Sequence, residues 1–239
     1  MWWWPIVEDA LQKYLAVIPA REGSKRIPDK NLLSVGGRSL IQRAADSVRE
    51  SEIYKNGEVR LVCCTNSAKC EALAVSAGLE VFPAPPWFAT TDRSLNETLE
   101  HVSGHVGAEI AMLVLATAPF RRGPIFDQVA EALERRPDAK VAMSMIPALN
   151  TPEWTFQKNG SGLYNYRTFP DVPDVDNPDP TYQHDGQVWA IRVEELARAK
   201  TATQTTELAG VFGDWPDTLD LNWPWQLEMA EFIAEKTGL

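Results

Sequence analysis

The 239-residue sequence predicts an α/β fold: a mostly parallel sheet with helices on both faces, plus a protruding arm. Three observations predict it. Short apolar runs alternate along the chain with segments of helical period. The first run ends in a turn-rich loop dense in basic side chains, AREGSKRIPDKN over residues 20–31. The alternation stops at Pro147 and resumes near residue 186, leaving a stretch too long for a plain connection.

Residues 14–19, YLAVIP, read as a buried strand. Residues 39–51 read as a helix with Ser39 at its N-cap and Leu40, Ile41, Ala44, Ala45 and Val48 on one face. A strand is expected over 58–65, a helix over 67–78 ending at Gly78, and a short strand over Glu80–Phe82. A Pro-rich loop, PAPPWFATTD, then leads to a helix over 94–106 and an apolar strand over 108–116. Pro124 sits in the first turn of a helix over 123–136, followed by a strand over 139–146. The excursion 147–182 is rich in Pro, Asn, Asp, Gly and scattered aromatics, and is expected to carry its own hairpin and to pack on a second subunit. A strand running into a helix is expected over 186–199, a final strand over 217–221 and a final helix over 223–236. Strands alternating with helices imply parallel pairing, with both faces covered and ligands at the carboxyl ends of the strands. The basic loop at 20–31 occupies such an end.

Composition narrows the partners. Hydrophobic residues make up 44% and charged residues 23%, enough for a core under an ordinary surface. The net charge of −10 argues against a duplex nucleic-acid partner but leaves room for a local basic pocket. Three cysteines, Cys63, Cys64 and Cys70, show no framework spacing and read as reduced thiols rather than zinc ligands. No apolar run approaches the length of a membrane span, so no membrane association and a cytoplasmic location are expected. Residues 1–13, MWWWPIVEDALQK, read as an N-terminal extension without the marks of a secretory signal.

The 20–31 loop lacks the Gly-Lys-Ser/Thr ending of a Walker motif, and its Gly23 stands alone, unlike a dinucleotide fingerprint. Its chemistry still suits a triphosphate. Gly23 permits close backbone approach, Ser24 can donate, Arg21 can bind phosphate bidentately and Lys30 can act as a point charge.

The run VIPAREGSKRIPDKNL, followed by GGRSLI, resembles the signature of the acylneuraminate cytidylyltransferases, which make CMP-sialic, CMP-pseudaminic and CMP-legionaminic acids. The resemblance extends from Tyr14 along nearly the whole chain through LVLATAPFR (113–121), TPEW (151–154), HDGQVWAI (184–191) and LDLNWPWQLEMAE (219–231). It implies a Rossmann-like nucleotidyltransferase domain over 14–239, dimerising through 147–182. It also implies transfer of CMP from CTP to the anomeric hydroxyl of a nine-carbon α-keto sugar acid, with release of pyrophosphate. In that scheme Ala20, Arg21, Gly23, Ser24, Lys30 and Asn31 bind the nucleotide, and Arg21, Lys30 and Asp220 are catalytic. Asp220 and Asn222 hold Mg²⁺. Arg121, Arg122, Asp185 and Gln187 are candidates for the sugar acid, with Lys158 and Arg167 of the arm as further cations.

The chain departs from the pattern at contact positions. Asn222 stands where the family has a second metal carboxylate, and it also reads as the N-cap of the last helix. Leu115 replaces a glutamine that contacts sugar, Pro85 an arginine of the nucleotide pocket, and Asn66 an aspartate. These keep two alternatives open: a nucleotidyltransferase for a different acid or nucleotide, and a nucleotide-binding homologue without turnover. His101 and His105 read as solvent-side residues of one helix, and the tryptophans, Trp223 and Trp225 included, read first as core or interface residues, with a wall of the pocket as the alternative for these two.

Overall fold

A computed structural model describes residues 12–89, 95–148, 156–158, 164–166, 181–198 and 207–239. Its central strand is β1 (Gln12–Pro19), solvent-free from Tyr14 to Ile18. β1 pairs in parallel with β4 (Val59–Thr65) on one side and with β6 (Ala108–Val114) on the other. The remaining strands of this sheet are β5 (Glu80–Pro83), β7 (Val141–Pro147), β10 (Tyr182–Arg192) and β11 (Leu208–Phe212), while β2 (Ser34–Val35) and β3 (Arg38–Ser39) form a separate antiparallel pair. Their order is β11-β7-β10-β6-β1-β4-β5, with β10 antiparallel to both of its neighbours and the other pairs parallel.

Alternation along β1 divides the core between the two faces. Tyr14, Ala16 and Ile18 share one apolar cluster with residues of α1 (Leu40–Arg49), α3 (Ala68–Ser76), α5 (Pro124–Arg135) and α7 (Pro224–Thr237). Leu15 and Val17 share the other with α4 (Leu95–Val106) and α6 (Val193–Leu196). Both faces are therefore covered, as a parallel sheet requires. Cys63 and Cys64 lie inside β4 and Cys70 inside α3, all three as free, buried thiols. Burial pushes the Cys63 and Cys64 thiols up to about 12, so both stay protonated.

Local chemistry sets the helix starts. Ser39 Oγ accepts from Gln42 N at 3.1 Å, the expected N-cap of α1. Ser67 Oγ caps α3 through Cys70 N at 3.2 Å. The short α2 (Glu52–Lys55) is capped by Ser51, and its first N–H groups also reach Asp127 of α5.

Three expectations change. Residues 217–221 are not a strand: they form turns and irregular backbone that crosses the carboxyl end of the sheet. Leu219 and Leu221 are buried two apart, which imitates a strand's period, but Leu219 N turns back to the Pro216 carbonyl and Leu221 N bonds Thr117 O. The edge strand is β11, whose half-exposed LAGVF carries no clear alternation. The excursion also narrows at both ends, because Pro147 belongs to β7 and Tyr182 to β10. Inside it, β8 (Phe156–Lys158) and β9 (Tyr164–Tyr166) pair as an antiparallel hairpin of their own. The tryptophans of the N-terminal extension, Trp154 and Arg167 lie outside the described residues, and no helix among those described is long and apolar enough to cross a membrane.

Phe126 on α5 is fully buried, so Phe126→Ala is expected to cost about 3–5 kcal/mol. Ser39→Ala removes only a cap and is expected to cost about 1 kcal/mol. Urea unfolding of the two variants checks both.

Candidate active site

Strand order places the site. From β1 the chain moves to β4 and β5 on one side, then returns to β6 on the other. The loops after β1 and β6 therefore part at a switch point, where open α/β sheets bind ligands. The loop after β1 is held from within. Ala20 N bonds Cys64 O at 2.9 Å, Ile27 is buried, and Asn31 Nδ2 donates to Arg21 O at 2.9 Å. Gly23 has φ +77°, which an L side chain adopts only under strain, and space around its α-carbon is open. Asp29 leads into a short 3-10 turn, Lys30–Leu32, that projects the Lys30 side chain inward.

A cavity of about 320 Å³ opens at this point. Arg21, Ser24, Arg26, Lys30 and Asn31 line it from the loop, and Leu115 and Thr117 from the turn after β6. Trp87, Phe88, Leu95 and Thr98 form a mostly apolar wall, and Asp220 and Asn222 close the remaining side. A second hollow of about 190 Å³ adjoins it, sharing Arg21, Ser24, Arg26 and Lys30 and adding Lys25. On an acidic protein this is a concentrated patch of positive charge, suited to an anion of high charge.

Two stitches hold the Asp220 segment in place, one to the basic loop and one to the turn after β6. Lys30 Nζ donates to the Leu221 carbonyl at 2.6 Å, and Leu221 N donates to Thr117 O at 2.8 Å. The Asp220 carboxylate accepts from Thr117 Oγ1 at 2.5 Å and from Asn222 Nδ2 at 2.6 Å. Burial lowers the Lys30 pKa, the charge of Asp220 opposes that shift, and Arg26 and Arg21 add to it.

Asn222 is not the N-cap of the last helix. Trp223 takes that position, and Gln226 Oε1 accepts from both Asn222 N (2.6 Å) and Trp223 N (2.8 Å). The Gln226 side chain thereby supplies the cap and frees the Asn222 amide for Asp220.

The four residues expected at the sugar acid do not line this cavity. Arg121 is buried, donating through Nε to Ser47 Oγ (3.1 Å) and through one terminal nitrogen to the Leu115 and Gln187 carbonyls (2.9 and 2.5 Å). Its guanidinium lies over the Phe126 ring, and its second terminal nitrogen is buried without a hydrogen-bond partner. Burial pushes its pKa down, and nearby Asp185 and Asp220 hold it up. Arg122 is exposed and paired with Asp217 at 2.5 Å. Asp185 and Gln187 are buried and bonded to each other, Gln187 Nε2 to Asp185 Oδ2 at 2.7 Å. Arg122 and Gln187 line a separate hollow of about 140 Å³ that shares no residue with the larger cavity. The side chain of Lys158 lies outside the described residues.

Other expectations also shift. Ala20 is buried behind the loop, and neither it nor Gly23 lines the cavity. His101 is half-buried, edge-on to Phe82, Trp87 and His105, rather than a solvent-side residue. Trp223 and Trp225 are exposed and do not line the cavity, although the Trp223 ring lies under the Arg26 guanidinium at 5.4 Å. Sequence reasoning missed Thr117 and the Trp87–Phe88 wall. A Thr directly before Ala-Pro at a strand's carboxyl end was the available signal for the first.

Residues 15–160 match the Cytidylyltransferase family. The chain belongs to that family. As a cytidylyltransferase, it is 23% identical over 234 residues to the CMP-N,N'-diacetyllegionaminic acid synthase of Legionella pneumophila, covering 93% of this chain and 97% of that one. It is 27% identical over 195 residues to the 3-deoxy-manno-octulosonate cytidylyltransferase of Chlamydia abortus, covering 78% and 73%. Its fold is similar to that of a CMP:2-keto-3-deoxy-manno-octonic acid synthetase solved in complex with CTP. That likeness has a TM-score of 0.69 and 18% identity, over 95% of this chain and 100% of the other.

Among the described residues no three His, Cys, Asp or Glu side chains gather, so the protein offers no closed metal cage there. One carboxylate beside a cation-lined cavity is nevertheless a donor set compatible with Mg²⁺, since that ion takes one or two carboxylates together with phosphate oxygens and water.

Because burial lowers the Lys30 pKa, its ammonium loses its proton at a lower pH than a free lysine does, and a bound anion opposes that loss. Affinity for inorganic triphosphate is therefore expected to fall as pH rises from neutral toward the ordinary lysine range. Lys30→Arg is expected to flatten that dependence, and calorimetric titration across the range reads it.

Proposed function

We propose that this protein transfers CMP from CTP to the anomeric hydroxyl of an α-keto sugar acid, releasing pyrophosphate, with Mg²⁺ bound at Asp220. The observation that carries this reading is the pairing across one cavity of the loop cations with a single carboxylate held by Thr117 and Asn222. Arg21, Ser24 and Lys30 bind and orient the phosphates, which places the α-phosphorus for in-line attack. Trp87 and Phe88 offer the flat apolar surface that a pyrimidine face needs. Mg²⁺, when bound, neutralises the charge that builds on the leaving pyrophosphate. Asp220 is its carboxylate ligand, and Asn222 is placed to contribute an amide oxygen only if it turns away from its present bond to Asp220.

A nine-carbon acid of the legionaminic type is the first choice, supported by near full-length similarity to a CMP-N,N'-diacetyllegionaminic acid synthase. An eight-carbon 3-deoxy-octulosonate is the second, favoured by similarity to 3-deoxy-manno-octulosonate cytidylyltransferases and by Leu115 in the cavity wall, where the family resemblance expects glutamine. With Arg121 buried and Arg122 paired to Asp217, the acid's carboxylate falls to the arm, where Lys158 and Arg167 are the proposed cations. The 147–182 excursion is the proposed dimer contact.

The protein is incubated with Mg²⁺, each of the four nucleoside triphosphates and both classes of acid, and pyrophosphate release is measured. Turnover is expected with CTP alone; CTP binding without turnover on any acid would leave only a nucleotide-binding role. Asp220→Ala is expected to lower turnover at least a hundredfold with the fold retained by circular dichroism. Asn222→Asp places a second carboxylate against the first. It is expected to lower the melting temperature without metal and to reduce the Mg²⁺ concentration needed for half-maximal rate.

A further inference from the structure

The geometry points to Gly186, held in a bulge by the Asp185 carboxylate, as the element that positions Asp220. From His184 to Trp189 strand β10 advances five residues while its partner β7 advances two, Met145 to Met143, so β10 carries a bulge there. Side chains satisfy the backbone that the bulge removes from the ladder. Asp185 Oδ1 accepts from Ser144 Oγ at 2.5 Å and from Gln187 N at 3.1 Å. Ser144 Oγ accepts in turn from Val188 N at 3.1 Å, and Arg121 donates to Gln187 O at 2.5 Å. Asp185 Oδ2 takes the Gln187 amide at 2.7 Å. The clamp is buried: Asp185 is 4% exposed, Gln187 1% and Ser144 fully enclosed.

The clamp turns Gly186 to φ +78° and brings its α-carbon against the Asp220 carboxylate. A Cβ at Gly186 would lie 2.8 Å from Asp220 Cγ and 2.9 Å from Oδ2. Asp220 could escape only by leaving the Thr117 and Asn222 bonds that hold it. Asp185 therefore acts at one remove from the ligand. It sets the bulge, and the bulge sets the space in which Asp220 is held. The effect of this placement on metal binding rests on the proposed function, whereas the placement itself does not.

Two variants test it, each by a crystal structure without ligand and by the Mg²⁺ concentration at half-maximal pyrophosphate release. Gly186→Ala is expected to push Asp220 off both hydrogen bonds and to raise the Mg²⁺ requirement at least tenfold, with CTP affinity in chelator within threefold of wild type. Asp185→Asn keeps the shape but sets its new amide against that of Gln187, and is expected to loosen the bulge and give the same change to a smaller degree. Asp220 unmoved in Gly186→Ala would overturn the role of Gly186, and Asp220 unmoved in Asp185→Asn would overturn the role of the clamp. Displacement of Asp220 with an unchanged Mg²⁺ requirement would confirm the placement and instead remove the metal from Asp220. A merely structural glycine would lower the melting temperature and leave Asp220 and the metal requirement as in wild type.

Discussion

The site depends on one contact between segments far apart in sequence: the Lys30 ammonium on the Leu221 carbonyl, beside the Asp220 carboxylate. It ties the loop after β1 to the segment before α7 across the carboxyl end of the sheet. The ammonium is partly desolvated, and burial alone disfavours its charge. A carbonyl at 2.6 Å and the field of Asp220 offset that cost. Without them, Arg21, Arg26 and Lys30 would face one another in the empty cavity with no balancing charge, and their repulsion would oppose closure of the loop. The same balance suits the cavity to an anion, which would meet cations already positioned and already partly dry.

The sheet makes that contact possible. β1 is enclosed on both faces, so the residue where it ends is fixed by packing rather than by the loop. The loops after β1 and β6 leave from neighbouring strands, which sets Thr117 within reach of Asp220 although 103 positions separate them in sequence. Short-range chemistry then completes the placement. Gln226 caps the last helix from within, and the Asn222 side chain is left for Asp220.

Much of this was legible in the sequence. Apolar periodicity located β1, β4, β6, β7 and five of the longer helices to within a few residues, and Ser39 marked the start of α1 as its hydroxyl predicted. The position of the basic loop was legible because it follows a buried strand, and the structure sets its Arg21, Arg26 and Lys30 around one cavity. What the sequence could not show was direction. Arg121, Asp185 and Gln187 have the chemistry of sugar recognition, and they are buried and bonded to one another and to the bulge in β10 rather than lining the cavity. A sequence lists donors and acceptors but does not say which face of a bulged strand they occupy, since one extra residue reverses the face. The segment 217–221 misled for a related reason: two buried leucines at spacing two imitate a strand when a chain merely dips twice into the core.

The replacement at position 222 shows how charge and geometry trade here. Two carboxylates at 220 and 222 would repel in the absence of metal, and the pair would be held together only by the ion. With Asn222, the amide donates to Asp220 and keeps it oriented when no metal is present. The gain is a pre-set carboxylate; in the proposed reaction the loss would be one negative charge on the metal and therefore affinity. An amide already committed as a donor to Asp220 must rotate before its oxygen can turn to a cation, so under that proposal metal entry and the breaking of that bond would be coupled. The carboxylate is consequently oriented without a ligand, and the proposed ion would depend more on the substrate phosphates to hold it.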